Sequence, residues 1–153
     1  MSSRVALYSA VDEELTHYEV DVAGAALVRR KSVKTPANIQ YAWPHPSRRF
    51  LYAATSNRGA GLKADFNHIG AYRIDPASGE LTQHGEPQVL PHRAVHICVD
   101  ATGSQGRKVF GGGENTITSF TLDEKRASRR CSSTPTATAS TTCALSPWIP
   151  RAA

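Results

Sequence analysis

At 153 residues with 40% hydrophobic side chains, the chain is long enough to bury one real core. Its formal net charge of +5 would suit a phosphate-rich partner if it were spread along the chain, but it is not. All 13 acidic residues lie at or before Glu124, whereas residues 126–153 carry Arg126, Arg129, Arg130 and Arg151 and no acid. Residues 1–125 are therefore close to neutral, and the composition argues against nucleic-acid binding.

Met1-Ser2-Ser3-Arg4 leads straight into a strand-like run, with no apolar segment of the signal-peptide kind. No apolar run approaches the roughly 18 residues of a membrane span. The cysteines, Cys98, Cys131 and Cys143, are odd in number and match no zinc spacing. These features predict a soluble cytoplasmic chain with reduced thiols, no metal and no membrane partner.

In chain order, the first strand candidate is Val5-Ala6-Leu7-Tyr8, followed by His17-Tyr18-Glu19-Val20-Asp21 and a loose turn marked by Gly24 and Leu27. Ile39–Trp43 is the next candidate, closed by Pro44-His45-Pro46-Ser47. Phe50–Ala54 precedes Ala71-Tyr72-Arg73-Ile74-Asp75, and Pro76-Ala77-Ser78-Gly79-Glu80-Leu81 turns into a new strand. Val95–Val99 ends at Asp100-Ala101-Thr102-Gly103, and Lys108-Val109-Phe110 precedes Ser119-Phe120-Thr121-Leu122-Asp123.

Three of these segments are copies of one pattern: small or polar, aromatic, polar, aliphatic, Asp, with Tyr18, Tyr72 and Phe120 at offsets of 54 and 48 residues. The unit is strand, turn, strand, loop, strand, turn, strand, with period-2 alternation and no helix-period stripe. Four antiparallel strands recurring at this spacing predict an all-β architecture of β-propeller blades. A β-sandwich with chance similarity is the alternative. Seven such units of ~50 residues would need roughly 350. This chain supplies about two and a half four-stranded blades, which do not close a ring.

Residues 126–153 break the pattern: Ser and Thr dominate, with Pro135, Pro147 and Pro150 and no alternation. Two readings account for this: a disordered low-complexity tail, or a slipped reading frame near Arg126. The shifted frame permits Ala-Gly-Glu-Pro-Thr-Leu-Leu after Lys125, restoring the Asp-x-x-x-Gly-Glu spacing of Asp75 to Glu80. Further on it permits Phe-Ala-Leu-Asp-Pro-Ala-Gly-Arg, whose Asp is forced by the Trp148 codon. We therefore expect a partial propeller domain over 1–125 and a non-native, irregular tail over 126–153.

Tyr41-Ala42-Trp43-Pro44-His45-Pro46-Ser47-Arg48-Arg49-Phe50-Leu51-Tyr52, Ile69–Asp75 with its following turn, and His96–Gly103 together resemble the bacterial lactonase family of seven-bladed propellers, over residues 4–125. That family includes 6-phosphogluconolactonase and is similar to fungal carboxymuconate-lactonising enzymes. Gly111-Gly112-Gly113-Glu114-Asn115 resembles a family segment from a later blade. The resemblance implies hydrolysis of a sugar lactone ester in the pentose phosphate pathway, without a cofactor, by a chain here truncated and inactive. A propeller fragment that only binds, or a lactonising enzyme of the same fold, is the alternative. Exposed blade edges would also template self-association.

Blade geometry places Lys34–Asn38, Asn57–His68 and Pro91–Arg93 on one face, with Glu114 and Asn115. Lactone hydrolysis needs a base for water and a donor for the carbonyl oxyanion, and a phosphorylated substrate needs cations. His92 and Arg93 supply both types in one loop and are the expected catalytic pair. Arg58, Lys63, His68 and His96 are the expected substrate-binding residues; the alternative for each is an ordinary polar or structural role. Gly-x-Ser-x-Gly is absent, and no Lys-Ser/Thr follows Gly111-Gly112-Gly113. His45 is expected to serve its turn, as are Asp75, Asp100 and Asp123.

Overall fold

The three copies of the aromatic-x-aliphatic-Asp pattern fall at the end of the second strand of a hairpin in three separate antiparallel sheets, the third as far as Thr121. The computed structural model describes residues 5–57 and 65–99 and, as backbone alone, 108–113, 116–121 and 131–132. The first sheet runs in the order β1 (Val5–Val11), β2 (Glu14–Asp21), β3 (Ala26–Lys34). The second contains β4 (Asn38–Pro44), β5 (Phe50–Ser56), β6 (Asn67–Ile74), β7 (Leu81–Gln83) and β8 (Gln88–Leu90). The third pairs β9 (His96–Val99) with β10 (Lys108–Gly113), then β11 (Thr116–Thr121) and β12 (Cys131–Ser132). No helix occurs among the described residues, and the expected all-β blade architecture is what forms.

The repeat holds at the level of register. Leu7 faces Tyr18 and Tyr8 faces His17; Leu51 faces Tyr72 and Tyr52 faces Ala71; Val109 faces Phe120 and Phe110 faces Ser119. Because a one-residue slip would turn every side chain to the other face, equal register in three hairpins makes them equivalent units. Thus β1, β5 and β10 hold one position. The inner edges of β5 and β10 carry β4 and β9, whereas nothing among the described residues pairs that edge of β1.

Sheet two departs from a plain four-stranded unit in a way that keeps its plan. Both β7 and β8 pair with β6, β7 against Tyr72–Ile74 and β8 against Asn67–Ile69. They are one outer strand interrupted between Gln83 and Gln88. Gly85, at φ 72°, supplies the left-handed residue there, and Pro87 offers no N–H to a ladder.

Period-2 alternation in β5 has a meaning that differs from a half-buried strand. All seven residues Phe50–Ser56 are buried. Phe50, Tyr52 and Ala54 pack with Ile69, Leu90, Ala94 and Ile97 toward the third sheet. Leu51 and Ala53 pack with Leu15, Tyr72 and Leu81 toward the first. Alternation here sorts residues between two cores, which is why the strand reads as a nearly continuous apolar run. Each large side chain so buried contributes about 1.5–3 kcal/mol.

Turn chemistry follows the sequence. Asp75 Oδ1 accepts hydrogen bonds from the backbone N–H of Ala77 (2.9 Å) and Ser78 (2.7 Å) and from the Ser78 hydroxyl (2.9 Å). Those bonds, the Ser78 N–H first, hold its carboxyl below the usual carboxylate range. In the first copy, Asp21 Oδ1 accepts from Gly24 N–H at 2.9 Å. His45 Nδ1 accepts from Ser47 N–H at 3.1 Å within the Pro44–Ser47 turn. Asp100 and Asp123 lie outside the described residues.

Candidate functional site

One end of the second sheet gathers the segments expected to form a site. Asn38 pairs with Ser56, Ser56 with Asn67, and Asn67 with Leu90, so four strands begin or end in one row. Residues 35–37 and 91–95 connect through that end, and Asn57, Asp65 and Phe66 lie there too. In the first sheet, Val11, Glu14 and Lys34 form the corresponding row. The two rows are joined where Thr35 N–H donates to Glu13 O and Ile39 N–H to Asp12 O, each at 2.8 Å. Thr35 Oγ1 adds a bond to Ala37 O at 2.7 Å and so fixes the crossover into β4.

Arg93 is anchored at this end by a doubly bonded partner. Its Nε and Nη2 both donate to Gln40 Oε1, at 2.9 and 2.5 Å, across 53 residues of chain. Gln40 stands where the β4–β5 register shifts between Ile39 and Tyr41, so it is the extra residue of a bulge. Its Nε2 donates to Asn38 O at 3.1 Å, which turns the oxygen toward Arg93. His92, beside Arg93, is exposed and carries its ring into solvent reach.

The other expected residues have different surroundings. His68 is buried on β6, opposite Thr55. The Phe66 ring lies 4.3 Å from its own, and its Nδ1 has no hydrogen-bond partner among the described residues. Burial pushes its pKa below the ordinary histidine value. His96 is exposed at the start of β9 and leans on Tyr41, ring centroids 4.5 Å apart, with Trp43 at 6.3 Å. Tyr41 faces Ala54 and His96 faces Gly112, equivalent positions of successive units. Arg58, Lys63, Glu114 and Asn115 lie outside the described residues. At the base of the 57–66 connection, Asn57 Nδ2 donates to Asp65 at 2.7 Å and Asn57 Oδ1 accepts from Phe66 N–H at 3.2 Å.

The structure therefore joins Arg93 to Gln40 and separates the histidines by environment: His92 and His96 exposed, His68 buried. Gln40 is the residue that sequence reasoning missed. A glutamine in an apolar strand carries no local sign of a bulge, and its partner lies far along the chain. Among the described residues no group of three or more His, Cys, Asp or Glu is placed to hold a metal. None forms a helix long and apolar enough to cross a membrane.

The model of a family described as lactonase, 7-bladed beta-propeller, matches residues 4–140, a range that runs past Lys125. No curated protein matches the chain. Among solved structures, a candidate 6-phosphogluconolactonase from Bacteroides fragilis is similar with a TM-score of 0.63 at 17% identity, over 81% of this chain and 33% of that one. Another, from Bacteroides uniformis, is similar with a TM-score of 0.64 at 16% identity, over 82% of this chain and 35% of that one. At such identity the likeness is one of fold, and this chain spans about a third of the length of those structures.

Proposed function

The chain belongs to the seven-bladed β-propeller lactonase family, and on that premise we propose that its blades serve the hydrolysis of a sugar lactone. The observation that carries this reading is family membership over residues 4–140. The substrate we favour is 6-phosphogluconolactone, in the pentose phosphate pathway of the cytoplasm. Support comes from the similar candidate 6-phosphogluconolactonases and from the anchored Arg93 guanidinium, a donor suited to a phosphate or a carboxylate.

In this reading His92 takes a proton from water as the water oxygen adds to the lactone carbonyl carbon. Arg93 donates to the carbonyl oxygen as it gains negative charge. The ring C–O bond then breaks, the ring oxygen takes a proton, and a hydroxy acid leaves. No cofactor enters these steps. Arg58 and Lys63 are assigned to the substrate phosphate and His68 and His96 to the walls of the site. His68, being buried, would reach a ligand only by moving Phe66 or through a bound water.

Three sheets do not make a closed seven-unit ring, and the 153-residue chain is proposed to be inactive unless further blades complete it. The test is lactone hydrolysis by this chain and by a form in which the frame after Lys125 is restored and continued to full length. Activity in the restored form alone supports the reading. Hydrolysis of muconolactones in place of the phosphogluconolactone favours the lactonising alternative, and activity in neither form removes the hydrolase assignment.

A further inference from the structure

We infer that Gln40 is a positioning residue: it holds one edge of the Arg93 guanidinium so that the opposite fork is presented to an oxyanion. This deepens the proposed function by naming what aims Arg93, and it rests on that reading for the location of the site.

The geometry divides the guanidinium in two. Nε and Nη2 each spend one N–H on a single acceptor, Gln40 Oε1. The donors not used there are both N–H groups of Nη1 and the second of Nη2. These form the end-on fork, whose parallel donors match two oxygens of a carboxylate or a phosphate. An arginine free in a loop would sample many rotamers and lose that entropy on binding; one whose side-on edge is already bonded has less to lose.

The chemistry of the partner matters as much as its place. Gln40 offers a neutral amide oxygen, so the full positive charge of Arg93 stays available to a ligand. A carboxylate at the same place would orient the fork equally well and cancel the charge. The amide is itself held: Nε2 donates to Asn38 O, which fixes which atom of the side chain faces Arg93. The bulge that puts Gln40 out of register with β5 is what lets this side chain depart from strict alternation along β4.

Two oxyanions fit the fork: the phosphate of a phosphorylated sugar lactone and the carboxylate of the hydroxy acid that its hydrolysis yields. Titrating the 153-residue chain with gluconate, which carries only a carboxylate, and with glucose 6-phosphate, which carries only a phosphate, separates them. The readout is the Arg93 Nε–H resonance in ¹⁵N-edited NMR. In the ligand-free chain that proton is expected to be protected from solvent exchange by Gln40, and one of the two probes is expected to shift it saturably. Gln40→Glu should keep the proton protected and weaken the binding of that probe by about tenfold or more, since the charge is neutralised. Gln40→Met should lose the protection and bind more weakly than the native chain.

An unprotected Arg93 Nε–H in the native chain overturns the inference without any variant being needed, as does failure of both probes to shift it. Unchanged affinity in Gln40→Glu also overturns it, because a merely structural Gln40 would alter thermal stability alone. A restored full-length form that fails to hydrolyse lactones, with Gln40-dependent anion binding intact, would instead sink the proposed function and leave the positioning role standing.

Discussion

The Tyr8 hydroxyl donates a 2.7 Å hydrogen bond to the carbonyl oxygen of Gly79, 71 residues away. Tyr8 belongs to the first sheet and Gly79 to the turn that follows β6 in the second, so this bond ties one unit to the next. Together with the Asp12–Ile39 and Glu13–Thr35 bonds at the other end, it fixes how the two sheets meet.

Removing the hydroxyl with Tyr8→Phe is expected to cost about 1 kcal/mol, the net worth of one such bond plus the stranded carbonyl. Gly79→Ala should cost more. Gly79 has φ 78°, and a Cβ there would stand 3.0 Å from His17 Nε2 and 3.3 Å from Ala6 Cβ. The left-handed backbone alone is worth about 1–2 kcal/mol against a residue with a side chain. Urea unfolding midpoints of the two variants check both the sign and the order.

Acid should loosen the same junction before it reaches the carboxylates. His17 is only 1% exposed, and burial pushes its pKa below the ordinary 6.5, with Arg30 adding to the depression and Glu80 and Glu19 opposing it. The folded state thus prefers the neutral ring, while the unfolded chain takes up a proton near 6.5. The resulting stabilisation is present above that pH and is lost as the pH falls through it toward the depressed folded value. His68 acts in the same direction. Urea midpoints should fall between about pH 7.5 and pH 5, and His17→Gln should flatten that slope. An unchanged slope in the variant would show that His17 is not the responsible group.

Tyr72 offers the opposite case to Tyr8. It is fully buried, its pKa is pushed up to about 12 by that burial, and its hydroxyl has no hydrogen-bond partner among the described residues. Tyr72→Phe removes an unsatisfied polar atom at constant shape, so stability is expected to stay level or rise by up to ~1 kcal/mol. Leu15→Ala, which empties space in the same core, should lose about 2–5 kcal/mol. Thermal and urea unfolding of the pair decide it, and a clear loss in Tyr72→Phe would reveal a partner for the hydroxyl.

The edge of β1 that nothing among the described residues pairs carries Val5, Leu7 and Val11, each at least 40% exposed. Such an edge templates strand addition unless a charge interrupts it. Leu7→Lys is expected to reduce concentration-dependent association of the 153-residue chain in sedimentation velocity. Equal association of the two forms would place the contact elsewhere.

The sequence by itself determined the units and which strands are equivalent, and the observed register agrees with it. Tyr18, Tyr72 and Phe120 mark equivalent strands because hairpin pairing is local and the side-chain period is two, so a pattern on one strand fixes its facing residues on the next. It also determined the Asp75 turn, whose partners lie two and three residues away. It placed His92, Arg93 and the connecting segments at one end of the sheets, since strand direction alone dictates that. Tertiary structure decided what each side chain meets there. Gln40 reaches Arg93 only because a bulge re-aims it and the chain returns after 53 residues. His68 is buried and His96 exposed although both sit near strand ends. The reason is physical: burial, charge and hydrogen-bond partnership are set by the neighbouring sheet, and no local pattern records which sheet that is.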